Sequence, residues 1–277
     1  MHCASYPLSP HRVVAIATDK YLTPKTPFQD PQNLPGVPAP RYGADIAFGI
    51  GRAASAKQSV GTSEAELKPK MLNLLNLFAA QDRSGMAKRL FNAFLAKRGT
   101  PTFFEDPALN SAAADHRNIQ HFCSWALSAP NSVFKSPAQK RIHQALQQAG
   151  WDITKVIAPT DLGVPALDNG SLYFSTEDFD NGLGLMINGV QHAYAVATHY
   201  HHDATARRYC IGLKFVFYDV FGLDDDDLRE YGVTPGAPFH IDSAIGITAW
   251  WQLQHQFGYA PLVTRVVVRR AFEAEAI

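Results

Sequence analysis

The feature that most constrains the fold is a strict alternation of large apolar side chains with other residues. In RRYCIGLKFVF, residues 207–217, one face of an extended chain carries Tyr209, Ile211, Leu213, Phe215 and Phe217. A period of two is typical of a β-strand with one buried face. The segment AYAVATHY, 193–200, has the same character, and the polar stretch HHDATA separates the two. The sequence therefore predicts an antiparallel hairpin over residues 193–217.

The first half of the chain has a helical period instead. A fourth helix of this half is expected to begin with Ser136 as its N-cap and Pro137 at the first helical position. Apolar residues at three- and four-residue steps predict the three helices before it, over 64–78, 87–98 and 107–128.

Helices first and strands afterwards favour an α+β protein, with a helical N-terminal half followed by a small antiparallel sheet with packed helices. Within the second half, residues 243–256 are predicted to form a helix and 261–272 a closing strand. We expect an extended proline-rich arm over 1–45, a helical region over 46–165 and an α+β region over 166–277. The last two regions form either two domains or one compact domain.

Charge and motifs exclude several classes of function. The 25 Lys and Arg residues balance the 25 Asp and Glu residues, so the overall charge gives no reason to expect nucleic acid as a partner. The sequence has no glycine-rich nucleotide-binding motif, no nucleophile elbow and no HExxH zinc motif. Nucleotide hydrolysis, serine hydrolase chemistry and zinc proteolysis are therefore disfavoured.

The three cysteines, Cys3, Cys123 and Cys210, lie far apart and form no CxxC pair. This spacing disfavours a disulfide framework and predicts folding in a reducing compartment. The beginning of the sequence lacks the pattern of a signal peptide, since the apolar run VVAIA is too short. No stretch approaches the ~18 apolar residues of a membrane helix, so we expect no transmembrane segment.

The acidic segment FYDVFGLDDDDL, 217–228, divides into two parts. Asp224 is predicted to cap a short helix, and the three aspartates after it to fill the first turn, where carboxylates interact favourably with the helix dipole. The segment lacks the spacing of a calcium loop, so no metal site is predicted. Asp219 follows the buried strand, where it either braces the turn or serves in catalysis.

Histidines supply the other candidates for proton transfer. His116 lies on the apolar face of its helix, as either a hydrogen-bonded core residue or a catalyst. His240 and Asp242 share one face if their segment is extended, and both are close in sequence to Asp219. If these four side chains converge, they suffice for general acid–base chemistry. The sequence names no cofactor.

Three segments carry a family resemblance. NGLGLMING (181–189), YDVFGLDDDD (218–227) and WWQLQHQFGYAPLVT (250–264) resemble domain-of-unknown-function family 3289 of proteobacteria. PRYGADI (40–46) and FFEDPALNSAAADH (103–116) resemble it more loosely. Carried over residue by residue, the resemblance marks His116, Asp219, Phe221, Gly222, Leu223, Asp224, Leu253, Gln254, Gly258, Tyr259, Pro261 and Thr264.

The resemblance implies an antibacterial toxin or effector delivered by a type VI-like secretion system. Its partners would be a cognate immunity protein and secretion spike or adaptor proteins, and it would pass from the producer's cytoplasm into a target cell without a signal peptide. The resemblance supplies no reaction. If the chain is an enzyme, we expect a hydrolase acting on the target cell envelope, with Asp219 and His116 as acid–base candidates and His240 with Asp242 as a second set. The residues expected to bind are Asp224, Trp251, Gln254 and Tyr259. The alternative is a non-catalytic adaptor or binding module associated with the spike.

Overall fold

A computed structural model describes most of the chain, namely residues 2–18, 26–27, 41–51, 59–96, 99–127, 141–167, 170–171, 178, 180–234 and 241–277. The helices are α1 (Glu64–Leu72), α2 (Leu74–Phe78), α3 (Met86–Ala96), α4 (Pro107–Asp115), α5 (Arg117–Leu127), α6 (Ile142–Gln148), α7 (Leu183–Met186), α8 (Asp225–Tyr231) and α9 (Asp242–Gln256). The strands are β1 (Pro7–Thr18), β2 (Thr26–Pro27), β3 (Arg41–Tyr42), β4 (Thr102–Phe104), β5 (Thr160–Gly163), β6 (Ala166–Leu167), β7 (Gly170–Ser171), β8 (His192–Asp203), β9 (Arg208–Phe221) and β10 (Leu262–Glu275).

A six-stranded sheet with the order β4-β10-β9-β8-β1-β5 forms the centre of the fold. The four inner strands, β10, β9, β8 and β1, are antiparallel to one another, and the predicted hairpin is confirmed as β8 and β9. The two outer strands are parallel to their neighbours, β5 beside β1 and β4 beside β10. The sheet is therefore mixed.

The predicted fold class is wrong, because the N-terminal half is not simply helical and the sheet is neither small nor purely antiparallel. Strands β1, β4 and β5 come from the first 163 residues and lie in the same sheet as β8, β9 and β10. The two prolines of β1 obscured its strand character. They are tolerated because β5 pairs only with Ala15–Ala17, which leaves one edge of the strand free at Pro7 and Pro10.

The helices agree better with their sequence patterns. The predicted helix over 107–128 is divided at His116, whose extended backbone ends α4 before α5 begins. Helix α6 begins at Ile142 with Arg141 at its N-cap, and the expected Ser136 cap lies outside the described residues. Helix α9 agrees with the predicted range within a residue.

Strand β9 is buried on both faces. Its first face holds the predicted apolar set, which packs with α3, α5 and α9 in the main core. There Phe221 stacks on Trp250 with ring centroids 4.2 Å apart. The second face holds Val216, Tyr218 and Val220, which pack with Tyr42 in a smaller cluster. Because each fully buried aromatic side chain contributes about 2 kcal/mol or more, β9 is the main source of stability in the sheet.

One buried glutamine joins three parts of the chain. The Gln254 side-chain nitrogen donates to the carbonyls of Asp45 at 2.8 Å, Ala47 at 2.6 Å and Leu223 at 3.0 Å. Its side-chain oxygen accepts from the Leu223 amide at 3.0 Å. Helix α9 thereby fixes both the turn at residues 44–46 and the chain leaving β9.

Replacing this glutamine tests its role. Gln254→Leu keeps the approximate volume but leaves buried backbone groups without partners, so we expect it to lower the free energy of unfolding by about 3 kcal/mol. Chemical denaturation measures the change. Gln148→Leu on the exposed side of α6 is the matched control and is expected to change stability by less than about 0.5 kcal/mol. Equal effects of the two variants would contradict the joining role of Gln254.

Candidate functional site

Two carboxyl groups meet where β9 ends. Asp219 is two residues before the end of the strand and is 6% exposed. Asp45 lies in the middle of the 3-10 turn Ala44–Ile46 and is half-buried. The Gln191 side chain donates to Asp45 Oδ2 at 2.7 Å, and the Gly189 amide donates to Asp219 Oδ2 at 3.4 Å. These contacts hold both carboxyl groups at the end of the sheet where β9 ends and β8 begins.

The turn can approach β9 so closely because Gly222 has no side chain. A Cβ atom at this position would lie 2.3 Å from the Asp45 carbonyl oxygen and 3.0 Å from Pro261 Cβ. Gln254 holds the same carbonyl from the other side. The Phe-Gly-Leu-Asp bend therefore has a direct structural task, since it allows the backbone of Asp45 to pack against the end of β9.

Burial makes both carboxyl groups weaker acids than an exposed aspartic acid, because it raises their pKa values. It raises the pKa of Asp219 well above the usual range, the negative charge of Asp45 raises it further, and backbone N–H groups of Gly189, Val220 and Asn188 offset part of the rise. Burial also raises the pKa of Asp45, to about 7, against the hydrogen bond from Gln191. A pKa of about 7 places the titration of Asp45 near neutral pH.

The pair is rich in hydrogen-bond acceptors. Within the described residues, Asp45 Oδ1, Gln191 Oε1 and Thr264 Oγ1 are buried and have no hydrogen-bond partner. Thr264 lies directly across from Asp219 in the pairing of β9 with β10. Asp219 supplies a donor only while it is protonated, because an ionised carboxylate can only accept. Burial is therefore the main influence that favours the protonated acid at Asp219.

The acidic run beside the pair caps a helix, as predicted. Asp224 Oδ1 accepts from the amides of Asp226 at 2.8 Å and Asp227 at 3.0 Å, and Asp227 Oδ2 accepts in return from the Asp224 amide at 2.9 Å. This capping box begins α8. Asp224 and Asp227 also raise the pKa of Asp45 through their negative charge. Burial raises the pKa of Asp227 itself to about 6.

His116 has a different partner from the one that acid–base chemistry with Asp219 requires. Its Nδ1 accepts from the Asn118 amide at 3.1 Å, so the ring proton lies on Nε2. Nε2 then donates to the Asp178 carboxylate at 3.0 Å. Both side chains are close to fully buried. The pair holds the break between α4 and α5.

The two predicted acid–base residues, Asp219 and His116, lie beside different positions along β10. Arg270 donates to the carbonyl of Ala114, close to His116 in sequence, whereas Asp219 pairs with Thr264. Six residues of extended strand separate Arg270 from Thr264, a rise of about 20 Å. The structure thus places Asp219 with Asp45 and His116 with Asp178.

The second predicted acid–base set is described only in part. His240 lies outside the described residues. Asp242 is the first residue of α9, where it is exposed and lies in the first turn. Neither residue is placed beside Asp219 by a described contact.

The remaining residues that were predicted to bind a ligand contact the protein itself. Trp251 is 2% exposed, and its ring N–H donates to Asp225 Oδ1 at 3.2 Å. Tyr259 is 1% exposed, and its hydroxyl donates to Glu64 Oε2 at 2.5 Å. Gln254 joins backbone segments as described above. Their polar atoms therefore serve the fold.

Asp45 is the residue of the site that the sequence analysis did not select. It stands in PRYGADI, a polar loop segment with no periodicity, and its burial depends on Gln254 and Gly222 far along the chain. The only signal in the sequence was the looser resemblance of this segment to the family.

In the described ranges, no group of three or more His, Cys, Asp or Glu side chains is placed to hold a metal ion. Across the same part of the chain, every helix is too short or too polar to cross a bilayer.

Comparison with protein-family models, curated proteins and solved structures finds no match to this chain. The resemblance to domain-of-unknown-function family 3289 therefore stays a prediction.

The pKa of Asp45 predicts how stability depends on pH. A carboxyl group whose pKa is raised by folding stabilises the protein fully below its unfolded pKa of about 4, and that contribution is lost as the pH rises towards 7. A pKa shift from about 4 to about 7 corresponds to a loss of about 4 kcal/mol in the free energy of unfolding. We expect a loss of about 2 kcal/mol, because Asp45 is only half-buried.

Asp45→Asn should remove this loss. The free energy of unfolding is measured for the wild type and for the variant by denaturation at several pH values between 4 and 7.5. The difference between the two proteins should then change by the expected amount over this range. His143, whose pKa burial lowers, gives an opposing slope in both proteins and cancels in the difference. A difference that does not change with pH would show that Asp45 has an ordinary pKa.

The contact between His116 and Asp178 predicts strong coupling. We expect His116→Ala and Asp178→Ala each to lower the free energy of unfolding by about 2 kcal/mol, because each leaves a buried polar partner unpaired. The double variant should lose little more than either single one. The exposed pair Arg229 and Asp226 is the control, with an expected coupling of about 0.5 kcal/mol or less. Additive effects at His116 and Asp178 would contradict the pairing.

Proposed function

We propose that this chain is an antibacterial effector of a type VI-like secretion system that hydrolyses a component of the target cell envelope. The observation that carries the hydrolase is the Asp45 carboxyl group, half-buried, with a pKa of about 7 beside the protonated Asp219. A group with a pKa near the working pH is the most effective in proton transfer. The family resemblance supports the delivery route, with an immunity protein and spike or adaptor proteins as partners.

The roles of the two aspartates differ because their exposure differs. Asp45 is the less buried residue of the two, so we assign it proton transfer: it takes a proton from the attacking water and returns that proton to the leaving group. Asp219 is nearly inaccessible and is the positioning residue. A protonated Asp219 adds no second negative charge beside Asp45.

A second candidate function is the adaptor or binding module. An open cavity of about 560 Å³ favours it, lined by α1, α2 and the segment before α3. Its wall combines apolar residues, Leu72, Leu75 and Ala79, with the polar residues Asn73, Asn76, Asp82 and Lys88. Such a groove fits an amphipathic helix of a partner.

Growth of a sensitive bacterium separates the two functions. The wild type is expressed in the cytoplasm and, separately, exported to the periplasm, beside Asp45→Asn, Asp219→Asn and Asp226→Asn. Asp226 is the matched control, since its side chain is 72% exposed near the site. We expect arrest by wild type and Asp226→Asn when the chain is periplasmic. Asp45→Asn should slow killing by about 100-fold, the contribution of one general acid–base group.

Three results would count against this proposal. Growth arrest in neither compartment would contradict the proposal that the chain is a toxin. Arrest only from the cytoplasm would move the substrate away from the envelope. Full arrest by Asp45→Asn, folded according to its circular dichroism and melting, would remove the catalytic role of Asp45.

A further inference from the structure

Two thiols that are distant in sequence are in contact on the second face of β9, the face that also carries Val216 and Tyr218. Cys3 lies in the 3-10 turn Cys3–Ser5, which packs on β8 and β9. Its side chain hydrogen-bonds with that of Cys210, the third residue of β9. The Gly212 amide also donates to the Cys3 sulfur. Cys3 is 6% exposed and Cys210 is fully buried, and both are free thiols.

The chain that follows Cys3 is held firmly against the sheet. The ring of Tyr6 stacks on His201 with centroids 4.0 Å apart and planes 11° apart. The Tyr200 amide donates to the Tyr6 carbonyl at 3.0 Å. Because His201 pairs directly with Cys210 across β8 and β9, these contacts fix Cys3 above its partner. The closeness of the two sulfur atoms is therefore built into the fold.

The third cysteine cannot join them in the folded protein. Cys123 lies in α5 and is buried in the main core, on the face of β9 that carries Tyr209 and Ile211. Cys210 points to the opposite face, because side chains alternate along a strand. The sheet thus separates Cys123 from the other two thiols, and Cys123 provides an internal control.

We propose that Cys3 and Cys210 are a redox pair that forms an intramolecular disulfide in a thiol-oxidising environment. The oxidant is a disulfide, of a small molecule or of a thiol oxidoreductase. The Cys3 thiolate attacks one sulfur of that disulfide and releases a thiolate. The Cys210 thiolate then attacks the Cys3 sulfur and releases the second thiolate. The protein loses two protons and two electrons, and the oxidant is reduced to two thiols.

The reduced pair is stable in a reducing compartment. Burial, Cys210 and the negative charge of Glu273 raise the pKa of Cys3 to about 12, so little thiolate is present at neutral pH. Oxidation is therefore expected to be slow without a catalyst. Once formed, the disulfide closes a loop of more than 200 residues, and loops of this length restrict the unfolded chain strongly.

The test uses the full chain, purified reduced and equilibrated with oxidised and reduced glutathione at several ratios. Free thiols are then alkylated in denaturant and counted by mass spectrometry. We expect one alkylated thiol in the oxidised wild type and none in Cys123→Ser, with a peptide linking Cys3 to Cys210. Cys3→Ser and Cys210→Ser should form no internal disulfide. Oxidation should raise the Tm by about 5 to 10 °C, reversibly with dithiothreitol.

Other outcomes would overturn the redox pair. Three alkylated thiols at every glutathione ratio would show that the two sulfur atoms cannot bond. A disulfide that includes Cys123 would show that Cys3 and Cys210 are not each other's preferred partners. Glutathione adducts alone would show that each thiol bonds to glutathione more readily than to the other. Cys123→Ser retains both members of the pair, so an internal disulfide in this variant can join only Cys3 and Cys210.

Discussion

Burial of both faces of β9 is the constraint from which the rest of the structure follows. Large apolar side chains cover one face and a smaller aromatic cluster covers the other, while β8 and β10 occupy both edges. The second half of the strand, from Phe215 to Phe221, has no solvated side on which to place a polar residue. The carboxyl group of Asp219 near its end is therefore desolvated with the strand, and its pKa rises for that reason.

How far the sequence predicts the structure depends on whether the decisive contacts are local. The β8–β9 hairpin, helix α9 and the Asp224 cap were predicted because short-range periodicity and capping determine them. Strands β4 and β5 have three and four residues, too few for a period to be visible, and their partners are distant in sequence. Asp45 was missed for the same reason, since its burial depends on residues about 200 positions away.

The two proposed sites lie at opposite ends of β9. Nine residues separate Cys210 from Asp219, a distance of about 30 Å along an extended strand. One end carries carboxyl groups and acceptors without partners, which cost stability. The other carries thiols that can add a covalent link. A chemical change at either end can thus be studied without disturbing the other.

The position of β1 has a consequence for synthesis of the chain. Its antiparallel partner β8 begins about 170 residues after β1 ends, and β5 comes about 140 residues after it. At a typical translation rate the first strand therefore waits roughly 10 to 35 seconds on the ribosome before its main partner emerges. Such distant pairing slows folding and keeps the apolar run of β1 exposed meanwhile. The strand made first is among the last to find its place.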